Sequence, residues 1–263
     1  EIAPAIAARL ELLWQAGEGQ HSLRQYVAWS SADRKESCPG WLKSYQDVTA
    51  LTKALRTGQA SLDQAVLDRL WVERENGVSS LKLGLFSRDE LNEQQSVIRE
   101  ITQRIMEAPT AQTHAQVMQD WRLAVESKQF SANRPAMINR VFAAFAPERF
   151  TTLLKTEDCQ RLLQGLREHF QLDVSNGNQD WCSLNEQIVE CMSRAGLDTD
   201  VVLPNNIAMW QLLEALPGAK GAALEETPEG DARVPAKDIP LNQILFGPPG
   251  TGKTFSVVEE TLK

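Results

Sequence analysis

The feature that most restricts the fold of this chain is the octapeptide 247–254, which reads GPPGTGKT and fits the phosphate-binding pattern G-x-x-x-x-G-K-[ST]. A short apolar run, 239–246, precedes it, and the segment 254–262 that follows favours a helix. A strand, a glycine-rich loop and a helix in this order predict the start of an α/β P-loop domain. The bare pattern arises by chance in roughly 1% of chains of this length, and the predicted strand and helix make it more specific.

Each residue type in this loop suits a polyphosphate. Gly250 and Gly252 have no Cβ, so the backbone can wrap closely around a phosphate group at the positive end of the following helix. Lys253 can reach the β and γ oxygens, and the Thr254 hydroxyl can bind Mg²⁺. The predicted nucleotide-binding residues are Gly247, Pro248, Pro249, Gly250, Thr251, Gly252, Lys253 and Thr254, with Mg²⁺ and GTP or ATP as cofactors.

Two further parts of a nucleotide-hydrolysing site are not found in the sequence. No second apolar strand ending in a metal-binding aspartate follows the loop before Lys263, and no arginine finger can be assigned. The catalytic residues are therefore expected beyond Lys263. We expect this stretch by itself to be inactive in hydrolysis.

The rest of the chain is predicted to be mainly α-helical. Apolar residues recur at helical spacing up to about residue 216, and we divide this region into helical subdomains at 1–108 and 109–216. Residues 217–238 are rich in proline, glycine and acidic side chains and are predicted to be a flexible linker. The incomplete start of the P-loop domain, 239–263, comes last.

Local signals predict where several helices begin. Ser87 with Glu90 forms a capping box that opens a helix to about Glu107, and Pro135 starts another. A second capping box is predicted at Ser183 and Glu186, and the β-rich segment 150–154 is predicted to be a short strand.

The composition of the chain argues against several classes of function. The net charge of −8 argues against broad, non-specific coating of nucleic acid, though it leaves room for a local basic patch. The four cysteines lack metal-binding spacing, so reduced thiols in a cytoplasmic protein are expected. No apolar run is long enough to cross a membrane.

Three groups of side chains have both a functional and a structural interpretation. Arg134, Arg140 and Arg149 are close in sequence and are candidates for a DNA-phosphate strip, or for ordinary ion pairs on a solvated helix face. The tryptophans favour core packing, with Trp41 and Trp181 among the better candidates for a surface pocket. The scattered histidines, such as His114, do not form a metal-binding pattern.

The segment 241–255, LNQILFGPPGTGKTF, resembles the nucleotide-binding start of the McrB family, AAA+ NTPases of modification-dependent restriction systems. The proline pair and the aromatic Phe255 after the loop are both typical of that family. Two further segments, 70–78 and 139–150, resemble the helical N-terminal regions of McrB-like proteins. Together the three segments cover about a seventh of the chain.

The resemblance implies a complete protein that forms a homo-oligomeric, hexameric ring, binds GTP or ATP with Mg²⁺, and works with an McrC-like nuclease subunit. The N-terminal region of such a protein recognises the target, often modified DNA. The signature that distinguishes GTP from ATP use lies beyond Lys263, so both nucleotides stay open.

The leading interpretation is the motor and specificity subunit of a restriction or phage-defence complex, whose helical region binds target DNA or a partner. The alternative is a protein-interaction module on a AAA+ remodelling ATPase that does not bind DNA. The segment 111–216 holds 9 basic and 13 acidic residues, a net charge of −4 that slightly favours the alternative.

Overall fold

The computed structural model describes residues 23–28, 39–174, 179–197 and 201–216. These residues are mainly helical, as predicted, and contain no β-strand. Residues 23–28 are helical, and the further α-helices are α1 (Pro39–Arg56), α2 (Gln64–Leu67), α3 (Arg88–Glu93), α4 (Gln95–Glu107), α5 (Ala111–Glu126), α6 (Pro135–Phe145), α7 (Thr156–Phe170), α8 (Trp181–Arg194) and α9 (Val202–Ala215). A π-helical turn, Asp68–Val72, continues α2.

Side-chain caps define several helix starts. Ser87 accepts a hydrogen bond from the backbone N–H of Glu90, which confirms the predicted start of α3. The helix predicted to run on to about Glu107 is interrupted at Gln94, so it consists of α3 and α4. Pro135 occupies the first turn of α6, also as predicted.

The predicted capping box at Ser183 is wrong. Helix α8 begins at Trp181, because Asp180 caps it and accepts hydrogen bonds from both the backbone N–H and the hydroxyl of Ser183. The stronger acceptor, a carboxylate three residues upstream, therefore sets the helix start.

The predicted strand at 150–154 is also wrong. This segment is a buried, irregular connection between α6 and α7, and side chains satisfy its backbone where a neighbouring strand would otherwise do so. The backbone N–H of Thr151 donates to Asn185 Oδ1 at 2.8 Å, and Trp181 Nε1 donates to the carbonyl of Leu153 at 2.8 Å. Apolar, β-favouring residues suit this interior position without forming a sheet.

Helix α6 lies at the centre of the described fold. Every residue from Met137 to Phe145 is buried, and the helix contacts α1, α4, α5 and the π-helical turn. A helix that is buried on all sides has no solvent face, so any polar residue on it needs partners inside the protein.

Helices from both predicted subdomains pack in the same hydrophobic core. The Thr52 hydroxyl on α1 donates to the carbonyl of Ala144 on α6 at 2.8 Å, and α1 also contacts α9. The boundary near residue 108 therefore falls between helices of one continuous core. The predicted linker 217–238 and the P-loop start 239–263 lie outside the described residues.

None of the described helices is both long and apolar enough to span a membrane.

Candidate functional site

The predicted nucleotide-binding loop, Gly247–Thr254, lies outside the described residues. Its role in binding phosphate, and that of Thr254 in binding Mg²⁺, stay predictions from the sequence. The site residues that the structure does describe are the three arginines.

Arg134 is buried just before α6 and is 7% exposed. Its guanidinium makes two parallel hydrogen bonds to Glu90, at 3.1 and 2.7 Å, and a third to the Ser131 hydroxyl. It also lies over the Phe86 ring, 4.5 Å from the ring centroid. This bidentate ion pair connects the start of α6 to α3. Because the guanidinium already donates to Glu90, the same N–H groups are not available to a phosphate group.

Arg140 is fully buried in the middle of α6. Its guanidinium donates to the backbone carbonyls of Leu70 and Arg74 at 3.2 and 3.0 Å, and more weakly to that of Ser79 at 3.4 Å. Burial lowers the pKa of this guanidinium to about 10, so the group remains charged at neutral pH. The side chain therefore holds the π-helical turn and the connection after it from within the core.

Arg149 is the most exposed of the three, with 37% of its side chain accessible. It pairs with Glu186 on α8 at 2.6 Å and donates to the carbonyl of Pro109 at 3.3 Å. The three arginines thus have partners in different parts of the fold. Arg134 and Arg149 form ion pairs, in agreement with the structural interpretation. Among the three arginines, only Arg149 has substantial surface available for a phosphate contact.

The tryptophan considered for a surface pocket, Trp181, is 3% exposed and lies in the core. It stacks between His114 and Phe150, with ring centroids 5.2 and 4.9 Å away. Trp41 is half-buried, and its Nε1 donates to the carbonyl of Gly77. Core packing accounts for Trp181, as the structural interpretation proposed.

His114 is buried in the same aromatic cluster. Its Nε2 lies 2.7 Å from Asn139 Oδ1, and Asn139 Nδ2 donates to the carbonyl of Leu154. Because that carboxamide oxygen accepts, the network assigns the ring proton to Nε2 of a neutral imidazole. Burial lowers the pKa of His114, which works against the charged form. In the part of the chain that the structure describes, no three His, Cys, Asp or Glu side chains form a group that could hold a metal ion.

The lowered pKa of His114 predicts that the protein becomes less stable as the pH is lowered. In the unfolded chain this group titrates near 6.5, whereas in the folded protein it protonates only at lower pH. The stability that neutral His114 contributes to the folded protein is fully present above pH 6.5. It is lost as the pH falls through the lowered pKa of the folded state. We expect the free energy of unfolding, measured by urea titration, to fall more steeply between pH 7 and 5 in the unmodified protein than in a His114→Gln variant. Equal slopes would contradict this assignment.

The described cysteines behave as buried thiols. Cys159, Cys182 and Cys191 are free, and burial raises the pKa of all three, that of Cys182 to about 12. A raised pKa keeps each thiol protonated at neutral pH, and a protonated thiol is a poor nucleophile and metal ligand.

A feature that the sequence analysis missed is a cavity of about 220 Å³ between α8 and the first turns of α9. Its apolar lining comes from Val189, Met192, Leu197 and Val202. The polar residues that also line it are Glu148, Ser193, Asn205 and Asn206. The sequence signal that could have indicated this region is the adjacent pair Asn205-Asn206, which lies in an otherwise apolar stretch of helix.

Asn206 is 1% exposed and only partly satisfied. Its Nδ2 donates to the Tyr45 hydroxyl at 3.1 Å and to the carbonyl of Pro147 at 2.9 Å. Its Oδ1 is buried without a hydrogen-bond partner. An unpaired buried acceptor costs about 1–3 kcal/mol, so this oxygen lowers the stability of the packing around α9.

Comparison of the chain with models of protein families, with curated proteins and with solved structures gives no significant match.

Proposed function

We propose that the protein to which this chain belongs is an NTP-hydrolysing AAA+ subunit, using GTP or ATP, of an McrBC-like restriction or phage-defence complex. The helical region is its recognition part, and an McrC-like nuclease is its partner. The observation that carries the proposal is the octapeptide 247–254 between an apolar run and a helix-favouring segment. Magnesium-dependent binding of GTP or ATP by the complete protein is the measurement that tests it.

The helical region has two candidate targets, and the described geometry favours a protein over DNA. Two of the three candidate arginines are committed to internal partners, Arg134 to Glu90 and Arg140 to backbone carbonyls. The segment 111–216 is also acidic overall. A DNA-binding surface needs several exposed cations to neutralise phosphates, and an acidic surface repels the duplex. These observations support the second candidate function, a protein-interaction module on a AAA+ remodelling ATPase.

The two targets are separated by a binding titration. We expect the 263-residue chain to show no shift in fluorescence anisotropy of plain or fully methylated duplexes at about 50 mM salt, where electrostatic binding is strongest. Binding that weakens as salt is raised to about 200 mM would favour the DNA alternative instead. In that case Arg149→Ala should weaken the complex, whereas Arg194→Ala, which removes another exposed cation paired on α8, serves as the matched control.

A further inference from the structure

An open groove of about 500 Å³ lies between α1 and the start of α9. One of its walls is apolar and consists of Pro147 and residues 201–204, which read VVLP. Val201 is 43% exposed, which is unusual for a large apolar side chain in the part of the chain that the structure describes. Apolar surface that remains in contact with water inside a concave site is available for a partner to bury.

The opposite wall of the groove is a single stripe along α1. The stripe consists of residues at intervals of three and four, Gln46, Thr49, Ala50 and Lys53. Ala50 is exposed and small, which leaves room in the middle of the stripe. The Gln46 carboxamide is exposed and has no hydrogen-bond partner among the described residues. A carboxamide both donates and accepts, so it can pair with the backbone of an extended segment.

The charge of the lining selects a carboxylate. Lys53 is the charged side chain in the lining, is exposed, and has no ion-pair partner among the residues that the structure describes. The partial positive charge at the start of α9 has the same sign. The acidic residues next to the lining in sequence have other positions: Asp47 pairs with Lys43 at 3.2 Å, and Glu148 lines the cavity between α8 and α9.

We propose that this groove docks an extended segment of a partner protein in which a branched aliphatic side chain lies next to one carboxylate. The aliphatic side chain packs against Pro147 and residues 201–204, and the carboxylate accepts a hydrogen bond from Lys53. Because the groove is open to solvent, it suits part of a longer chain better than a small molecule, which an enclosed cavity would bury. This site rests on the second candidate function, in which the helical region binds a protein, and nucleotide turnover does not depend on it.

The test is a titration of the 263-residue chain with heptapeptides that are blocked at both ends and carry a neutral dye, followed by fluorescence anisotropy. The reference peptide is SGLDLGS. Replacing its aspartate by asparagine is expected to weaken binding about fivefold, the size of one exposed ion pair. Replacing both of its leucines by alanine is expected to weaken binding about tenfold or more, because the apolar contact is lost. Equal binding of the aspartate and asparagine peptides, or no binding of the reference peptide up to about 1 mM, would overturn the proposal.

A free carboxylate distinguishes a protein partner from a small molecule. Isocaproate has the same branched aliphatic body and the same charge, but it lacks the backbone that can pair with Gln46. It is expected to displace the labelled reference peptide only at a concentration about tenfold or more above that of the unlabelled peptide. Displacement at equal concentrations would overturn the choice of a protein partner.

Two variants locate the site on the protein, and all the positions changed are exposed, so the fold should be retained and circular dichroism checks it. Lys53→Gln is expected to remove the preference for the aspartate peptide, whereas Lys82→Gln, which alters another exposed lysine, is the matched control and should leave it unchanged. Ala50→Glu places bulk and a negative charge in the groove and is expected to weaken binding about tenfold or more, with Ala115→Glu on the exposed face of α5 as its control. A preference that survives Lys53→Gln, or binding that survives Ala50→Glu in a folded protein, would overturn the proposal, whereas magnesium-dependent nucleotide binding tests the NTPase assignment separately.

Discussion

Replacement of Lys253 by alanine is expected to reduce magnesium-dependent nucleotide turnover by about a hundredfold or more, a loss of the size seen when one transition-state donor is removed. Phosphoryl transfer concentrates negative charge on the γ-phosphate oxygens and on the bridging oxygen. An ammonium group held at the start of a helix stabilises that charge, and no neighbouring cation in the octapeptide 247–254 can replace it. The measurement is phosphate release from GTP and from ATP by the complete protein.

A matched control and a second variant make this result specific. Lys237→Ala removes a lysine from the predicted linker and should leave turnover unchanged. Thr254→Ala removes the hydroxyl predicted to bind the metal, so it should raise the magnesium concentration needed for half-maximal turnover. Turnover retained in Lys253→Ala would contradict the proposed function itself.

Local chemistry predicted much of the described fold. Ser87 and Pro135 mark helix starts because their caps depend on residues within one turn, and a single sequence contains that information. The prediction of a strand at 150–154 was wrong because the structure of this segment depends on residues that are distant in sequence. Its hydrogen-bond partners, Asn185 and Trp181, are about 30 residues away, and composition alone cannot show that side chains replace a neighbouring strand.

The same distinction explains the candidate arginines. Proximity in sequence predicted that Arg134 and Arg140 share a surface, but Glu90, the partner of Arg134, is 44 residues away. A signal for Arg140 was present in the sequence: the residues around it, 137–145, are almost all apolar on every side of the helix. A charged residue in such a helix is expected inside the protein. The cavity beside α9 depends on how three separate segments meet, which no local pattern contains.

The largest stability effect is expected from Arg140→Met, because this change removes the charged donor that the carbonyls of Leu70 and Arg74 share in the core. The Arg74 carbonyl keeps a hydrogen bond from the backbone N–H of Leu81. The acceptors belong to the backbone, so no second substitution can remove them. Hydrogen bonds to a charged group contribute about 1.5–3 kcal/mol each, so losing those from Arg140 to Leu70 and Arg74 is expected to cost about 3 kcal/mol or more. For a protein of this size that loss lowers Tm by roughly 10 °C, at about 2–4 °C per kcal/mol.

Thermal unfolding followed by circular dichroism checks this effect, with Arg122→Met as the control. Arg122 lies exposed on α5, and its substitution should change stability by no more than about 0.5 kcal/mol. Arg140→Lys keeps the charge but loses the planar fork that reaches Leu70 and Arg74 together, so an intermediate loss is expected. If Arg140→Met were as stable as Arg122→Met, the carbonyls would have to find other donors, and Arg140 would not be what holds this turn against α6.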